Sequence, residues 1–284
     1  MSSHPSRNRP ASRPPSYEVL RSPEEIPTYS LVPVAGPRGN VLDSYRGVQR
    51  DDTHEIVSVV SSRYGLVAHR EVARVVCRVG AALEPPDLGS LPHPFPRESI
   101  RLYHHGRRLE LKLVVGRKYH LEGGEELYPG LRVLNSLDGS WAIRLSGFAV
   151  RLACANQLYA PSGNVLEWRE LHLSSETDLL ADLGSAIRAY LERFPEGFSL
   201  YRQAMREEML AEDVGPSLAR EGIPPKHARS IGGRAEAEAS HVGMLSRWAA
   251  YQVATAYLTR EVRVNPDRER QFERMTARAL LQAA

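Results

Sequence analysis

The sequence predicts an α+β fold in which antiparallel β-hairpins form a curved sheet and amphipathic helices cover it. Two observations carry this prediction. Segments with alternating apolar residues are joined in pairs by short turns, as in hairpins. Other segments show the 3.6-residue apolar period of helices, including most of the C-terminal portion. Because 42% of the 284 residues are hydrophobic, the chain can fill a substantial core.

The hairpin that organises the chain spans residues 128–157 and turns at Asp138-Gly139. This dipeptide lies between apolar-rich segments, and glycine reaches positive φ without steric cost. We expect Trp141 and Ile143 to face inward beside the turn. The hairpin offers no nucleophile, metal cage or phosphate loop, so we interpret it as a structural feature and not as an active site.

Two other hairpins precede it. Residues 42–50 are expected to pair with 55–61, and residues 99–105 with 107–115. Between them, valines at helical spacing predict an amphipathic helix over 69–83.

The second half of the chain is predicted to be helical. Ser175 and Asp178 form a capping box for a long amphipathic helix, which ends at Pro195 and Gly197 and should pack on the apolar sides of the hairpins. Further on, the patterns indicate a helix over 198–214, a stretch of low order over 215–233, a helical segment over 239–262 and a terminal helix from Pro266.

Three regions follow from these patterns. Residues 1–27 are rich in proline, serine and arginine without a periodic apolar face, which predicts a disordered arm. Residues 28–195 form the α+β core domain, and residues 196–284 form a helical C-terminal region.

Composition limits the class of protein. The net charge is +3, and the cations comprise 34 arginines but only three lysines. This bias fits either phosphate recognition by guanidinium groups or a GC-rich coding genome. Two cysteines, Cys77 and Cys154, make a disulfide framework improbable. The chain shows neither an export signal nor an apolar run that could span a membrane, so we expect a cytoplasmic protein.

Positive charge is concentrated between residues 97 and 120, a segment that contains seven Arg or Lys residues and only two acidic residues. Alternation places Arg101 and Tyr103, with Arg108, Glu110 and Lys112, on the face of the 99–115 hairpin that is opposite the leucines. We expect that face to be solvated.

Catalytic and metal-binding patterns are weak. Consecutive histidines such as His104 and His105 point to opposite faces of a strand, and no cysteine or carboxylate completes a zinc set with them or with His120. Cys154 lies among apolar residues, which favours inert packing over a nucleophile. We therefore expect a protein that is not an enzyme and needs no cofactor or metal.

Several motifs resemble one known family. Asn135-Ser136-x-Asp138-Gly139-Ser140-x-Ala142-x-Arg144 followed by Arg151-x-x-Cys154-x-Asn156-Gln157 resembles the core signature of the phage- and plasmid-related proteins grouped as domain of unknown function 932. Arg50-Asp51-Asp52-Thr53, Val59-Val60-Ser61-x-Arg63-Tyr64 and Trp248-x-x-Tyr251-x-Val253-Ala254-Thr255-x-Tyr257 resemble its other parts. The likeness covers about residues 42 to 280, although His54 stands where similar sequences often have glycine. The resemblance implies a mobile genetic element.

The order of elements, hairpins followed by a long amphipathic helix, is also similar to that of phage single-strand annealing proteins of the Erf and RecT type. With the basic hairpin, this leads to the hypothesis of a single-stranded DNA-binding or strand-annealing accessory protein of a phage, plasmid or other mobile element, which could form a homo-oligomer. The alternative is a protein-interaction or regulatory module in which the same surface meets an acidic partner and residues 215–233 are a docking segment. The predicted nucleic-acid-binding residues are Arg101, Tyr103, Arg107, Arg108, Lys112, Arg117, Lys118, Arg144 and Arg151.

Overall fold

A computed structural model describes most of the chain. The described residues are 17–83, 98–116, 118–151, 157–159, 167–172, 175–239, 241–262, 264 and 266–281. Cys154 and Arg117, which the sequence analysis considered, lie outside these ranges, as does most of the predicted arm.

The protein has an α+β fold with antiparallel sheets, as the sequence predicts. The large sheet has eight strands, which are β1 (Tyr17–Leu20), β5 (Glu98–Tyr103), β6 (Arg108–Val114), β7 (Tyr119–His120), β8 (Glu126–Ser136), β9 (Ile143–Arg151), β10 (Gln157–Tyr159) and β11 (Glu167–Glu170). Their order is β1-β5-β6-β8-β9-β10, with β11 also pairing with β9 and β7 with β8.

A smaller sheet lies beside the large one and has three strands in the order β2 (Tyr29–Ala35), β3 (Val41–Arg50) and β4 (Ile56–Ser61). The predicted pairing of 42–50 with 55–61 is confirmed, since β3 and β4 pair in antiparallel register. The side-chain hydroxyl of Ser58 donates to the carbonyl of Leu137 at 2.7 Å, which joins the small sheet to the turn of the central hairpin.

Seven α-helices complete the described fold. The helix predicted over 69–83 is confirmed in position, and the long helix begins at the predicted cap, where the Ser175 hydroxyl accepts from the Asp178 backbone N–H at 3.2 Å. The helices are α1 (His69–Ala81), α2 (Glu176–Arg193), α3 (Phe198–Arg206), α4 (Val214–Arg220), α5 (Pro225–Glu238), α6 (Arg247–Glu261) and α7 (Pro266–Leu280). None of them has the length and apolar character needed to cross a lipid bilayer.

Helix α1 packs on β6 and β8 and helix α2 packs on β9, so the predicted packing of the long helix is confirmed for the central hairpin. The hydroxyl of Tyr190 on α2 donates to the carbonyls of Gly130 at 2.9 Å and Phe148 at 3.2 Å. The ring of Tyr190 occupies the space where a side chain of Gly147 would lie, so glycine at that position permits this close approach.

The central hairpin forms as predicted. Strands β8 and β9 pair from Leu127↔Arg151 to Leu134↔Arg144, and Gly139 in the turn has φ 67°. Trp141 is 5% exposed and Ile143 is fully buried, so the prediction that both face inward is confirmed.

Three expectations about the rest of the chain are wrong. The predicted arm over 1–27 is not irregular throughout, because Tyr17–Leu20 pairs with β5 and Ile26 is fully buried. The low-order stretch over 215–233 is mostly the helices α4 and α5. The helix predicted over 198–214 ends at Arg206, and the strand β12 (Glu208–Leu210) follows and pairs with β13 (Met244–Ser246).

One hydrophobic core runs through both predicted regions, from Ile26 to Leu281. The terminal helix α7 begins at Pro266, as predicted. Its residues Phe272 and Leu280, and Leu281 directly after the helix, are buried in that core. Residues 196–284 are therefore built into the same body as the sheet.

Candidate nucleic-acid interface

The large sheet has a second, polar face. Residues directly opposite each other on paired strands share a face, and one row across β5, β6, β8, β9 and β11 contains Arg101, Glu110, Leu134, Arg144 and Arg169. The neighbouring row contains Lys112 opposite Arg132. This face carries most of the residues that the sequence analysis selected.

The C-terminal helix α7 covers the middle of the polar face through an ion network. Arg132 donates to the two carboxylate oxygens of Glu273 at 2.8 and 2.9 Å and to Glu269 at 2.9 Å. Lys112 donates to Glu269 at 2.8 Å. Its ammonium also lies 3.6 Å from Glu110, which is fully buried. These contacts attach the helix to strands β6 and β8.

The network shifts the pKa values of its members in opposite directions. Burial acts to raise the pKa of Glu269, but Lys112 and Arg132 outweigh burial and lower the pKa to about 2. Burial raises the pKa of Glu273 above its usual value, although Arg132 opposes the shift. Glu269 is therefore the stronger acid of the two, and Glu273 is the carboxyl that takes up a proton first.

The expectation of a solvated basic face is wrong for the middle of the sheet. Lys112 is 6% exposed and Tyr103 is 3% exposed, with the Tyr103 hydroxyl donating to Glu110 at 3.0 Å. Arg101 is partly exposed, but its guanidinium lies 3.7 Å from Glu110 and 5.0 Å from the ring centre of Tyr17. The acidic side chains of α7 compensate cations that the local sequence leaves in excess.

Two other predicted cations lie at the far end of the sheet, away from the turn of the central hairpin. Arg151 is bound in a fork by both oxygens of Glu125. Lys118 lies 2.9 Å from Glu126. The selected residues that the structure describes thus do not form one continuous groove.

The remaining cations lie at the end of the sheet that carries the β5–β6 and β8–β9 turns. These two turns contact each other, since the Leu137 N–H donates a hydrogen bond to the Arg107 carbonyl at 2.8 Å. Arg107 is exposed. The guanidinium of Arg108 lies 4.8 Å from the ring centre of Trp141 and 3.6 Å from Asp138. Burial acts to raise the pKa of Asp138, but its hydrogen bonds to Ser140 and the charge of Arg108 lower it, so this carboxylate stays ionised.

Arg144 continues this surface on β9. It lies directly opposite Arg169 on β11, and one of its terminal nitrogens is 4.0 Å from Asp267 at the start of α7. Asp267 also accepts a hydrogen bond from the indole of Trp141 at 2.8 Å. We call this surface the hairpin end; its residues are Arg107, Arg108, Asp138, Trp141, Arg144, Arg169, Asp267 and Arg274.

Arg169 and Arg274 were not predicted from the sequence. Arg169 lies on a four-residue strand whose pairing with β9 crosses a long connection, so no local pattern places it beside Arg144. Arg274 follows Asp267 by seven residues, which is two helical turns and therefore the same side of α7. Once Asp267 is known to contact this surface, the seven-residue spacing predicts that Arg274 lies on the same side of the helix.

Asn135 of the family-like motif lies in the core rather than at the surface. Its amide donates to the Val67 carbonyl and to Nδ1 of His69, both at 3.0 Å, while Nε2 of His69 donates to the Gly106 carbonyl at 3.1 Å. The Tyr29 hydroxyl donates to the same carbonyl at 3.2 Å. Burial lowers the pKa of His69 to about 3, so the ring is neutral. This chain of hydrogen bonds joins both sheets and α1.

Metal binding has no geometric support in the part of the chain that the structure describes, since it contains no group of three or more His, Cys, Asp or Glu side chains placed to hold an ion. His104 and His105 lie exposed in the β5–β6 turn with φ 55° and 59°.

The fold and this surface define a mixed α+β protein with an arginine-rich sheet end and a sheet face that its own C-terminal helix neutralises. Residues 56–280 match the model of a protein family described as a domain of unknown function, DUF932, and the chain belongs to that family. The resemblance drawn from the motifs is thereby confirmed for the family. Comparison with curated proteins finds no match, and comparison with solved structures finds none either.

Proposed function

We propose that the protein binds single-stranded DNA at the hairpin end and acts as a binding or strand-annealing accessory factor of a mobile genetic element. The observation that carries the proposal is the charge of this surface, where four arginines (Arg107, Arg108, Arg144 and Arg169) stand against two aspartates. Guanidinium groups match phosphate oxygens in charge and in fork geometry. The mobile-element origin rests on the motif resemblance.

The chemistry of the surface favours contacts to the DNA backbone over contacts to bases. The cations Arg107 and Arg169 are exposed, whereas the nearby ring of Trp141 is 5% exposed and already covered by Arg108. Phosphate contacts position a strand but carry no sequence information. We therefore expect binding that is independent of sequence and strongly dependent on salt.

Fluorescence anisotropy with a labelled oligonucleotide of about 30 nucleotides tests the proposal, at several salt concentrations between about 50 and 200 mM. The variant combines Arg108→Gln, Arg144→Gln and Arg169→Gln. Each lost phosphate contact reduces the slope of log K against log salt by about 0.7 for a single strand, so the variant should lose about two units of slope.

The matched control is Arg229→Gln, because Arg229 is an exposed arginine on α5, a helix that packs against α4 and α6 and not against the sheet. It should bind as the wild-type protein does. Absence of binding by the wild type at the lowest salt refutes the proposal. So does a variant that folds, by circular dichroism, and binds with unchanged affinity and slope.

The alternative, an interaction module for an acidic protein, loses one of its supports. Its docking segment over 215–233 is formed by α4 and α5, which pack on each other and on the core. Purification of the protein from its native host decides between the two functions. A stoichiometric acidic protein that co-purifies with it and competes with the oligonucleotide for the hairpin end favours the alternative.

A further inference from the structure

The small sheet has apolar side chains on both faces, but the chain covers only one of them. Val48 and Val60 are buried against the turn of the central hairpin. On the other face, Tyr45 is 50% exposed, Ile56 48% and Val59 52%. Exposed apolar side chains of this size that lie together commonly mark an interaction surface.

The three exposed residues share one face of the sheet. Val59 lies directly opposite Gly47 on β3, and Tyr45 is two residues before Gly47. Ile56 lies opposite Gln49, which is two residues after Gly47. A methyl group on Gly47 would be 3.4 Å from the side chain of Ile56, which confirms that they lie on the same side. The residues therefore form one apolar patch.

Strand β4 has the composition of a strand that is buried on both faces. Residues 56–60 are four aliphatic residues and one serine, without the alternation of a half-solvated antiparallel strand. Within the described ranges, β4 pairs with β3 alone, so its other edge is open. Edge strands are usually protected from further pairing by a charge or a proline. The opposite edge strand, β2, contains Pro33, whereas β4 contains neither.

Two charged residues flank β4. Glu55 directly precedes the strand and Arg63 follows it by two residues. Both side chains are exposed, and neither forms an ion pair within the part of the chain that the structure describes. Each is four residues from Val59, on opposite sides of it. An antiparallel pairing of β4 with the same strand of a second copy, about a two-fold axis at Val59, therefore places Glu55 of each copy beside Arg63 of the other.

We propose that the protein forms a symmetric dimer in which β4 pairs with β4 of a second copy, so that the two small sheets become one. Pairing of β4 with β3 is regular from Ser58 to Ser61, and this part of the strand surrounds the axis. The pairing satisfies the open backbone edge and brings the apolar patches of both copies into one surface.

The charge pattern favours a second copy over a different partner. A two-fold axis brings each group close to it against its own copy, so a charge near the axis would repel itself. Strand β4 has no charge, and the flanking charges Glu55 and Arg63 are opposite in sign and equally distant from the centre. A contact with a different protein does not require this symmetry. The dimer goes beyond the proposed function and does not depend on it.

Sedimentation equilibrium of the full chain over a range of concentrations tests the proposal. The wild type should have twice the mass of one chain. Val59→Lys places two ammonium groups at the axis and should leave a monomer. The matched control is Val242→Lys, since Val242 is 78% exposed and lies outside the small sheet, and it should dimerise as the wild type does.

The flanking charges test the register. Glu55→Arg and Arg63→Glu each place like charges at both ends of the paired strands. Each should weaken dimerisation at least about tenfold, because one substitution acts twice in a symmetric dimer. An equimolar mixture of the two variants should associate about as tightly as the wild type, since every facing pair is again of opposite charge.

Each contrary result overturns the proposal. A wild type that stays monomeric at every concentration excludes the self-contact and leaves β4 to a different partner. A dimer that persists in Val59→Lys places the contact elsewhere. If circular dichroism shows that Val59→Lys does not fold, the exposed charge variants decide. A mixture of them that associates no more tightly than either variant alone refutes the pairing about Val59.

Discussion

Replacing Arg132 by methionine tests whether the ion network fixes α7 on the sheet. Methionine keeps a long unbranched side chain but removes a guanidinium that is 2% exposed. Lys112 still reaches Glu269 at 2.8 Å, whereas Glu273 loses the group that binds both of its oxygens. Removing one partner of a buried ion pair costs about 3–5 kcal/mol, and we expect a loss of that size at neutral pH.

The loss should shrink in acid. Burial already raises the pKa of Glu273 with Arg132 present, and without Arg132 the pKa rises further. The folded variant then holds a proton at Glu273 that the unfolded chain releases above the usual carboxyl pKa. Its stability relative to the wild type therefore rises as the pH falls toward that value. Urea denaturation followed by circular dichroism between about pH 5 and 8 measures this difference.

The double variant Arg132→Met with Glu273→Gln should recover more than half of the lost stability, because no unpaired buried charge remains. Arg193→Met is the control, since Arg193 pairs with Glu196 at an exposed site where such pairs contribute about 0–1 kcal/mol. If Arg132→Met loses less than about 1 kcal/mol, or loses the same amount at every pH, the ion network does not fix α7 on the sheet.

Three further predictions concern the core. Asn135→Ala leaves Nδ1 of His69 without its donor and should cost about 1–3 kcal/mol in urea denaturation, and an unchanged midpoint would contradict the role given to that amide. Gly147→Ala brings a methyl group into the ring of Tyr190 and should cost about 1–3 kcal/mol by the same assay, with a stable variant showing that the ring can move aside. The pKa of His69 is lowered to about 3, so the unfolded chain binds a proton there that the folded chain does not; stability should fall as the pH drops from about 6.5 toward 3, and NMR should find the His69 ring neutral at pH 5.

The elements whose signals are local in sequence were predictable. The turn at Gly139 and the cap at Ser175 each depend on residues within a few positions, and both form as expected. The same holds for α1, whose buried valines follow the apolar period of the sequence. Local chemistry therefore determined these elements before any tertiary contact needed to be known.

Glycine content misled the prediction for residues 215–233. Gly215 and Gly232 lie within two packed helices, and a methyl group on Gly232 would be 3.3 Å from the Cα atom of Gly215. Here glycine permits two helix backbones to approach each other closely. A segment with such a helix contact has the same glycine-rich composition as a loop. Sequence alone cannot separate these uses, because the partner glycine lies on a different helix.

The polar face was mispredicted for a related reason. The alternation of β5 and β6 correctly sorted Lys112 and Glu110 to one face, but the helix that covers this face begins over 150 residues later in the chain, and Lys112 and Glu269 are 157 residues apart. A hairpin with one polar face has the same local pattern whether water or a charged helix covers it. Only the tertiary structure distinguishes the two.

The arginines that remain at the hairpin end bear on the two explanations of the biased composition. A GC-rich genome explains why a cation at the surface is arginine and not lysine, but it does not explain why Arg144 and Arg169 occupy directly opposite positions with one distant carboxylate. Glutamine or serine at either position would avoid the repulsion, which costs up to about 1 kcal/mol within the sheet. The buried cations Lys112 and Arg132 differ from this pair, because carboxylates of the chain lie directly against both of them. The proposed DNA binding would supply the missing charge from outside the chain, and the salt-dependent binding of the triple arginine variant tests this explanation directly.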